Sequence, residues 1–252
     1  MKPVIKLQLM ENLKLLKLAA ITGGLEPSLR HAVESGMDFS EFLLHVTDME
    51  VASRQENGRK RRLQQARFPI QKPIEAFDFE AAKALDFQLI KHLLTGQYIN
   101  EGRNILLIGK SGTGKTHLAT ALGMEACRIG KTTLFTTACG LVNELVEARE
   151  EKILSRTLKR YASFDLLIVD ELGYVPFSGE AAQLLFQVLA GRNERKSVII
   201  TSNMGFGDWT SVFGDATLTA ALLDRVTHKA HIISCNWESY RFKETLKKKK
   251  GK

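Results

Sequence analysis

Apolar positions along the first third of the chain recur at helical spacing. From Leu7 to Ala20, the residues Leu9, Leu13, Leu16 and Ala20 fall three or four apart, which predicts a helix with one buried stripe. Gly23-Gly24 is expected to stop that helix, Pro27 to open a second, short one, and Gly36 to end it. Asp38 followed by Glu41 has the spacing of a capping box, opening a third helix that carries Phe42, Leu43, Val46 and Met49. Three short amphipathic helices predict a small N-terminal bundle. Pro69 and Pro73 then mark an extended connector.

From Phe77 onward the pattern changes to strand-like apolar runs alternating with helical stretches. The runs are Ile105 to Ile108, Thr132 to Thr136, Leu166 to Val169, Ser197 to Thr201 and Ala230 to Ser234. Helical periodicity fills His117 to Ile129, Cys139 to Tyr161, Glu180 to Asn193 and Leu218 to Thr227. Leu166-Leu167-Ile168-Val169 is apolar without alternation, the mark of a strand buried on both faces. The expected fold is α/β, with five strands in one parallel sheet and the ligand at their C-terminal ends. The expected domains are 1–68 (helical), 69–242 (α/β) and 243–252 (a basic tail).

The first strand runs into Gly109-Lys110-Ser111-Gly112-Thr113-Gly114-Lys115-Thr116, which fits the phosphate-loop pattern GxxxxGK[ST] between a strand and a helix. Its glycines let backbone N–H groups turn toward phosphate oxygens, and the following helix adds its positive end. Lys115 is placed for the β and γ phosphates and Thr116 for Mg²⁺. Gly109, Ser111, Gly112, Thr113, Gly114, Lys115, Thr116 and the adjacent His117 are therefore the candidate nucleotide contacts, for ATP as the cofactor. Asp170-Glu171 ends the most apolar run. A carboxylate fixed at a strand end holds Mg²⁺ (Thr116 and Asp170 as the metal pair), and a second one polarises the attacking water. Asn203, after Thr201-Ser202, is placed to orient that water or is an ordinary turn asparagine. Arg225 either reaches the γ phosphate of a neighbouring subunit or pairs with a carboxylate such as Asp224. Lys115, Asp170, Glu171, Asn203 and Arg225 form the candidate catalytic set.

The charge changes the picture only once it is divided along the chain. Of the net +8, residues 1–70 contribute +3, residues 71–239 contribute −1, and residues 240–252 contribute +6. The neutral core has basic flanks. Arg59, Lys60, Arg61 and Arg62 are either a solvated linker or a DNA contact. Lys152, Arg156, Lys159 and Arg160 fall on one stripe of a predicted helix, opposite Leu154, Leu158 and Tyr161. They too are DNA-binding candidates, gripping phosphates without reading bases. The terminal lysines aid solubility or touch nucleic acid. Cys127, Cys139 and Cys235 show no metal-ligand spacing, and no apolar run approaches the ~20 residues of a membrane span. A cytoplasmic protein is expected.

Several segments together resemble the IstB group of AAA+ ATPases, helpers of insertion-sequence transposition related to the helicase loader DnaC and the initiator DnaA. They are Gly109 to Gly123, DLLIVDELGYVPF (Asp165 to Phe177), LLFQVLAGR (Leu184 to Arg192), IITSNMGFGDW (Ile199 to Trp209), LLDRVTHKAHII (Leu222 to Ile233) and ESYR (Glu238 to Arg241). Upstream, ARFP (Ala66 to Pro69) and EAFDF (Glu75 to Phe79) resemble the segment leading into that group's ATPase domain. The resemblance implies a P-loop core without a C-terminal lid. Lys115 and Thr116 become the Walker A pair, Asp170 and Glu171 the Walker B pair, Asn203 sensor 1 and Arg225 an arginine finger acting in trans. It further implies a homo-oligomer with ATP sites between subunits, duplex DNA as ligand and a transposase as partner. Phe77 and Phe79 either approach the adenine or are core, and Arg241 takes no assigned role. A helicase loader of the DnaC type and a nucleotide switch without DNA remain the alternatives.

Overall fold

The computed structural model describes residues 2–239; Arg241 and the basic run from 243 onward lie outside the described residues. Contacts separate a unit ending at Arg61 from one beginning at Arg62. In the first, α1 (Pro3–Leu15), α2 (Ala19–Ser35) and α3 (Phe39–Gln65) follow one another, the last crossing the boundary in sequence. Leu13, Ile21, Leu25 and Val46 form its small core.

The expected break at Gly23-Gly24 is corrected by the structure. The chain turns earlier, at Lys17 with φ 57°, and α2 runs through both glycines and Pro27. Interior Gly costs about 1 kcal/mol and interior Pro about 3 kcal/mol relative to Ala, so tertiary contacts must offset them. Glu50 on α3, almost fully buried, accepts the N–H groups of Ala20 (2.9 Å) and Ile21 (3.3 Å) and caps α2 from thirty residues away. Gly24 admits Met49, whose Cε would lie 2.6 Å from a Cβ there. The end of α2 is as read: Gly36 is left-handed and Met37 N–H reaches Ala32 O at 3.0 Å. The capping box also forms, with Asp38 N–H to Glu41 and Glu41 N–H to Asp38 both at 2.8 Å.

The second unit opens with α4 (Phe87–Leu94) and the short α5 (Gln97–Asn100), then alternates β1 (Ile105–Ile108), α6 (Lys115–Arg128), β2 (Thr133–Thr137) and α7 (Ala138–Glu150). It continues with α8 (Leu154–Ser163), β3 (Leu166–Leu172), α9 (Gly179–Arg192), β4 (Ser197–Ser202), α10 (Trp209–Phe213), α11 (Ala216–Thr227) and β5 (His231–Ser234). The five strands are parallel in the order β2-β3-β4-β1-β5. Alternate strand residues feed two cores. Leu106, Leu167, Val169 and Ile200 face α7, α9 and α11, while Ile105, Leu107, Ile168 and Ile199 face α4 and α6. Because β3, β4 and β1 are neighbours, their C-terminal ends come side by side.

The stretch expected as one helix from Cys139 to Tyr161 is two. Lys152 takes φ 60° and Ile153 N–H turns back to Ala148 O at 2.7 Å, closing α7 in the way a C-terminal glycine usually does. A lysine carries no such signal. The buried Arg192 then ties α8 to the sheet, donating to the carbonyls of Tyr161 (2.6 Å), Phe164 (2.9 Å) and Ser197 (3.0 Å). Burial pulls its guanidinium down to about 10, which leaves it charged at neutral pH.

Candidate nucleotide site

The phosphate loop joins β1 to α6 as the motif requires. Gly112 and Gly114 have φ of 81° and 90°, values that a side chain would strain, and Gly114 is the left-handed N-cap of α6. Thr113 closes the loop through its hydroxyl to Lys110 O at 2.9 Å. Lys115 is 9% exposed, with Nζ donating to Gly109 O (2.6 Å) and Lys110 O (2.8 Å).

Opposite the loop, the end of β3 splits two adjacent carboxylates between two environments. Asp170 is buried and accepts Thr116 Oγ1 at 3.0 and 3.1 Å and Thr201 Oγ1 at 2.5 Å. At Glu171 the ladder to β4 slips between Val169 and Leu172, and Glu171 adopts φ 59°. That conformation costs on the order of 1 kcal/mol for a residue other than glycine. Thr201 holds it, since its Oγ1 accepts Glu171 N–H at 2.9 Å. The bulge turns Glu171 out of the ladder and onto the wall of a cavity. Thr201 is thus a site residue that sequence reading passed over as part of a strand.

The cavity, about 450 Å³, is lined by Ser111 to His117, Glu171, Thr201 and Asn203 together with Ile70, Phe77 and Asp78. Its size and mixed lining suit a nucleotide. Phe77 is both wall and core: its ring meets His117 edge-on at 5.3 Å and packs with Phe79 at 5.0 Å. Phe79 leans on Phe87 and does not line the cavity. His117 Nε2 lies 3.1 Å from Pro73 O, and a carbonyl only accepts, so that nitrogen carries the proton. Trp237 lines the cavity as well and was not foreseen. Of the eight expected nucleotide contacts, Ser111 to His117 line the cavity and Gly109 does not; Glu171 and Asn203 line it too, while Asp170 lies beside it on Thr116 and Thr201.

Residues 11–248 match the family described as IstB-like ATP binding protein. The chain belongs to that family. An IS21 insertion-sequence ATP-binding protein of Pseudomonas aeruginosa is 38% identical over 232 residues, covering 92% of this chain and 88% of that one. An IS5376 counterpart from Geobacillus stearothermophilus is 39% identical over 214 residues, 85% of each. Among solved structures, AMPPCP-bound DnaA from Aquifex aeolicus superposes with TM-score 0.57 at 22% identity, covering 74% of this chain and 57% of that one. The DnaC helicase loader gives 0.53 at 22% identity, covering 69% and 98%. At those identities the likeness is one of fold, an AAA+ P-loop core with a helical segment before it.

For this IstB-like chain, the remaining candidates separate by their surroundings. Arg225 on α11 does not line the cavity; its guanidinium lies over the Phe186 ring at 5.1 Å and Nη1 donates to Ala221 O at 2.9 Å. Among the described residues it forms no ion pair with Asp224. On α8, Arg156 and Lys159 are exposed and enter no ion pair there, whereas Arg160 is bonded to Glu144, which also accepts Tyr161 OH at 2.7 Å. Lys152 sits in the turn before α8, off the predicted stripe. Arg59 is bonded to Glu56 at 2.8 Å, with Lys60 at 3.7 Å from the same carboxylate. Arg62 donates to Cys127 O at 2.8 Å, at the end of α6, and Arg61 is exposed. Burial pushes the Cys235 thiol up to about 11, which makes it inert at neutral pH. No helix among the described residues is long and apolar enough to cross a membrane.

Proposed function

We propose that this protein is an ATP-hydrolysing, DNA-binding regulator of transposition that assembles on duplex target DNA and recruits or stimulates a partner transposase. The observation carrying hydrolysis is the split of the Walker B carboxylates, Asp170 buried against Thr116 and Glu171 turned into the cavity. Lys115 binds the β and γ phosphates. Glu171 takes a proton from the water that attacks the γ phosphorus, Asn203 orients that water, and ADP leaves as the bond to its β oxygen breaks. The Thr116 hydroxyl and Asp170 carboxylate form an all-oxygen pair that fits Mg²⁺, which when bound neutralises phosphate charge.

Arg225, placed away from its own cavity, serves a neighbouring copy's γ phosphate, so that ATP favours oligomers. Oligomers align the exposed Arg156 and Lys159 of successive copies, and DNA affinity follows from combined valency. The test is binding to a random-sequence duplex and a single strand of equal length, with ATP, ADP or no nucleotide, reading affinity and particle size together. ATP-dependent assembly on duplex is expected. Preference for single strands, or binding only with a hexameric helicase present, overturns this reading in favour of a loader.

A further inference from the structure

The glycines of the phosphate loop are constrained by a second segment as well as by their own dihedrals. A Cβ on Gly109 would lie 2.1 Å from the Cys235 carbonyl oxygen, and one on Gly112 would lie 2.1 Å from Ser239 Oγ. The buried Cys235 extends the β1–β5 ladder by one bond, its N–H reaching Ile108 O at 2.6 Å. Two residues on, the Trp237 indole Nε1 donates to Thr113 O at 2.9 Å. Its ring lines the cavity and packs against the apolar cluster that contains Phe77 and Leu107. Residues 235–239 therefore lie against the loop from Gly109 to Thr113.

We propose that this segment braces the phosphate loop and that Trp237 is a positioning residue for the bound nucleotide, an inference that rests on the ATP reading above. The Thr113 carbonyl and the Gly114 N–H belong to one planar trans peptide and point in opposite directions. An indole bond on the carbonyl therefore fixes the direction of the N–H of Gly114, a residue that lines the cavity. Without it, that peptide rotates and the phosphates lose an aligned donor. The same contact adds a steric demand for glycine at Gly109 and Gly112, whose φ of 154° and 81° already strain a side chain.

The full chain has two tryptophans, and the other, Trp209, is buried in the opposite core with Phe213. Titration with ADP, following tryptophan emission and binding heat in parallel, is the experiment. Emission is expected to change in step with the heat. Trp237→Phe keeps a ring and loses the donor, and is expected to abolish the optical change and weaken ADP about fivefold. ADP affinity in Trp237→Phe equal to the parent's overturns the positioning role, whatever happens to its melting temperature. Should that variant fail to fold, the parent alone decides: emission that stays flat while ADP heat is seen overturns the brace. A parent that binds no ADP overturns the ATP reading instead.

Discussion

The phosphate loop and the α8 surface both carry basic side chains, yet the structure holds them in opposite ways. Lys115 is almost buried and bonded within its own loop, to Gly109 and Lys110. Arg156 and Lys159 stand in solvent, and Arg160 is already occupied by Glu144, sixteen residues away. The loop's partners are its covalent neighbours, so eight residues in order specify them. A surface arginine's availability depends on a carboxylate that no local pattern names. A charge in a closed motif can be read where it stands; a charge on a helix has to be discounted for its partners first.

The largest expected effects lie on the loop side. Lys115→Ala removes the cation proposed to bind the β and γ phosphates and is expected to weaken ATP binding by about a hundredfold or more, measured by calorimetry. Glu171→Gln is expected to bind ATP normally and to lower steady-state turnover by roughly a hundred- to ten-thousandfold. Equal turnover in that variant removes Glu171 as the base and would reduce the two regions to the same standing. Thr201→Val comes next. It takes a hydrogen bond from Asp170 and leaves Glu171 N–H without its acceptor, so turnover is expected to fall about tenfold, or ~1.4 kcal/mol. Thr201→Ser, which restores the hydroxyl, is expected to recover most of that turnover, and failure to do so assigns Thr201 to packing alone.

That Thr201 needed the structure shows where sequence stops being legible. The five strands, the phosphate loop, Asp170-Glu171 and the Asp38/Glu41 capping box each depend on residues close in sequence, and each formed. The continuation of α2 through Gly23-Gly24 and Pro27 depends on Glu50, and the break between α7 and α8 on a left-handed Lys152 where glycine is the usual mark. Thr201 meets Asp170 across 31 positions and Trp237 meets Thr113 across 124. Strands and helices are set by period and local chemistry, whereas these side chains gain a role only when the sheet order brings β3, β4 and the segment after β5 to one end.

The smallest expected effects fall on α8, and there the comparison can be sharpened by adding charge as well as by removing it. If α8 grips phosphates, Arg156→Ala with Lys159→Ala should reduce the slope of log affinity against log salt by about 2, because each lost contact releases about one counterion fewer. Arg160→Ala should change little, since Glu144 neutralises that guanidinium before DNA arrives. Glu144→Gln preserves an acceptor for Tyr161 OH while freeing Arg160, so it should steepen the salt slope by about 1 and tighten duplex binding. Loss of the basic pair alone is compatible with any nearby interface, because removing positive charge weakens DNA affinity from a distance. Glu144→Gln also changes net charge, so the diagnostic result is a gain that disappears when Arg160→Ala is added, for that requires DNA close enough to α8 to take up the freed guanidinium. A slope unchanged by Glu144→Gln and by the double substitution alike takes α8 out of the DNA interface.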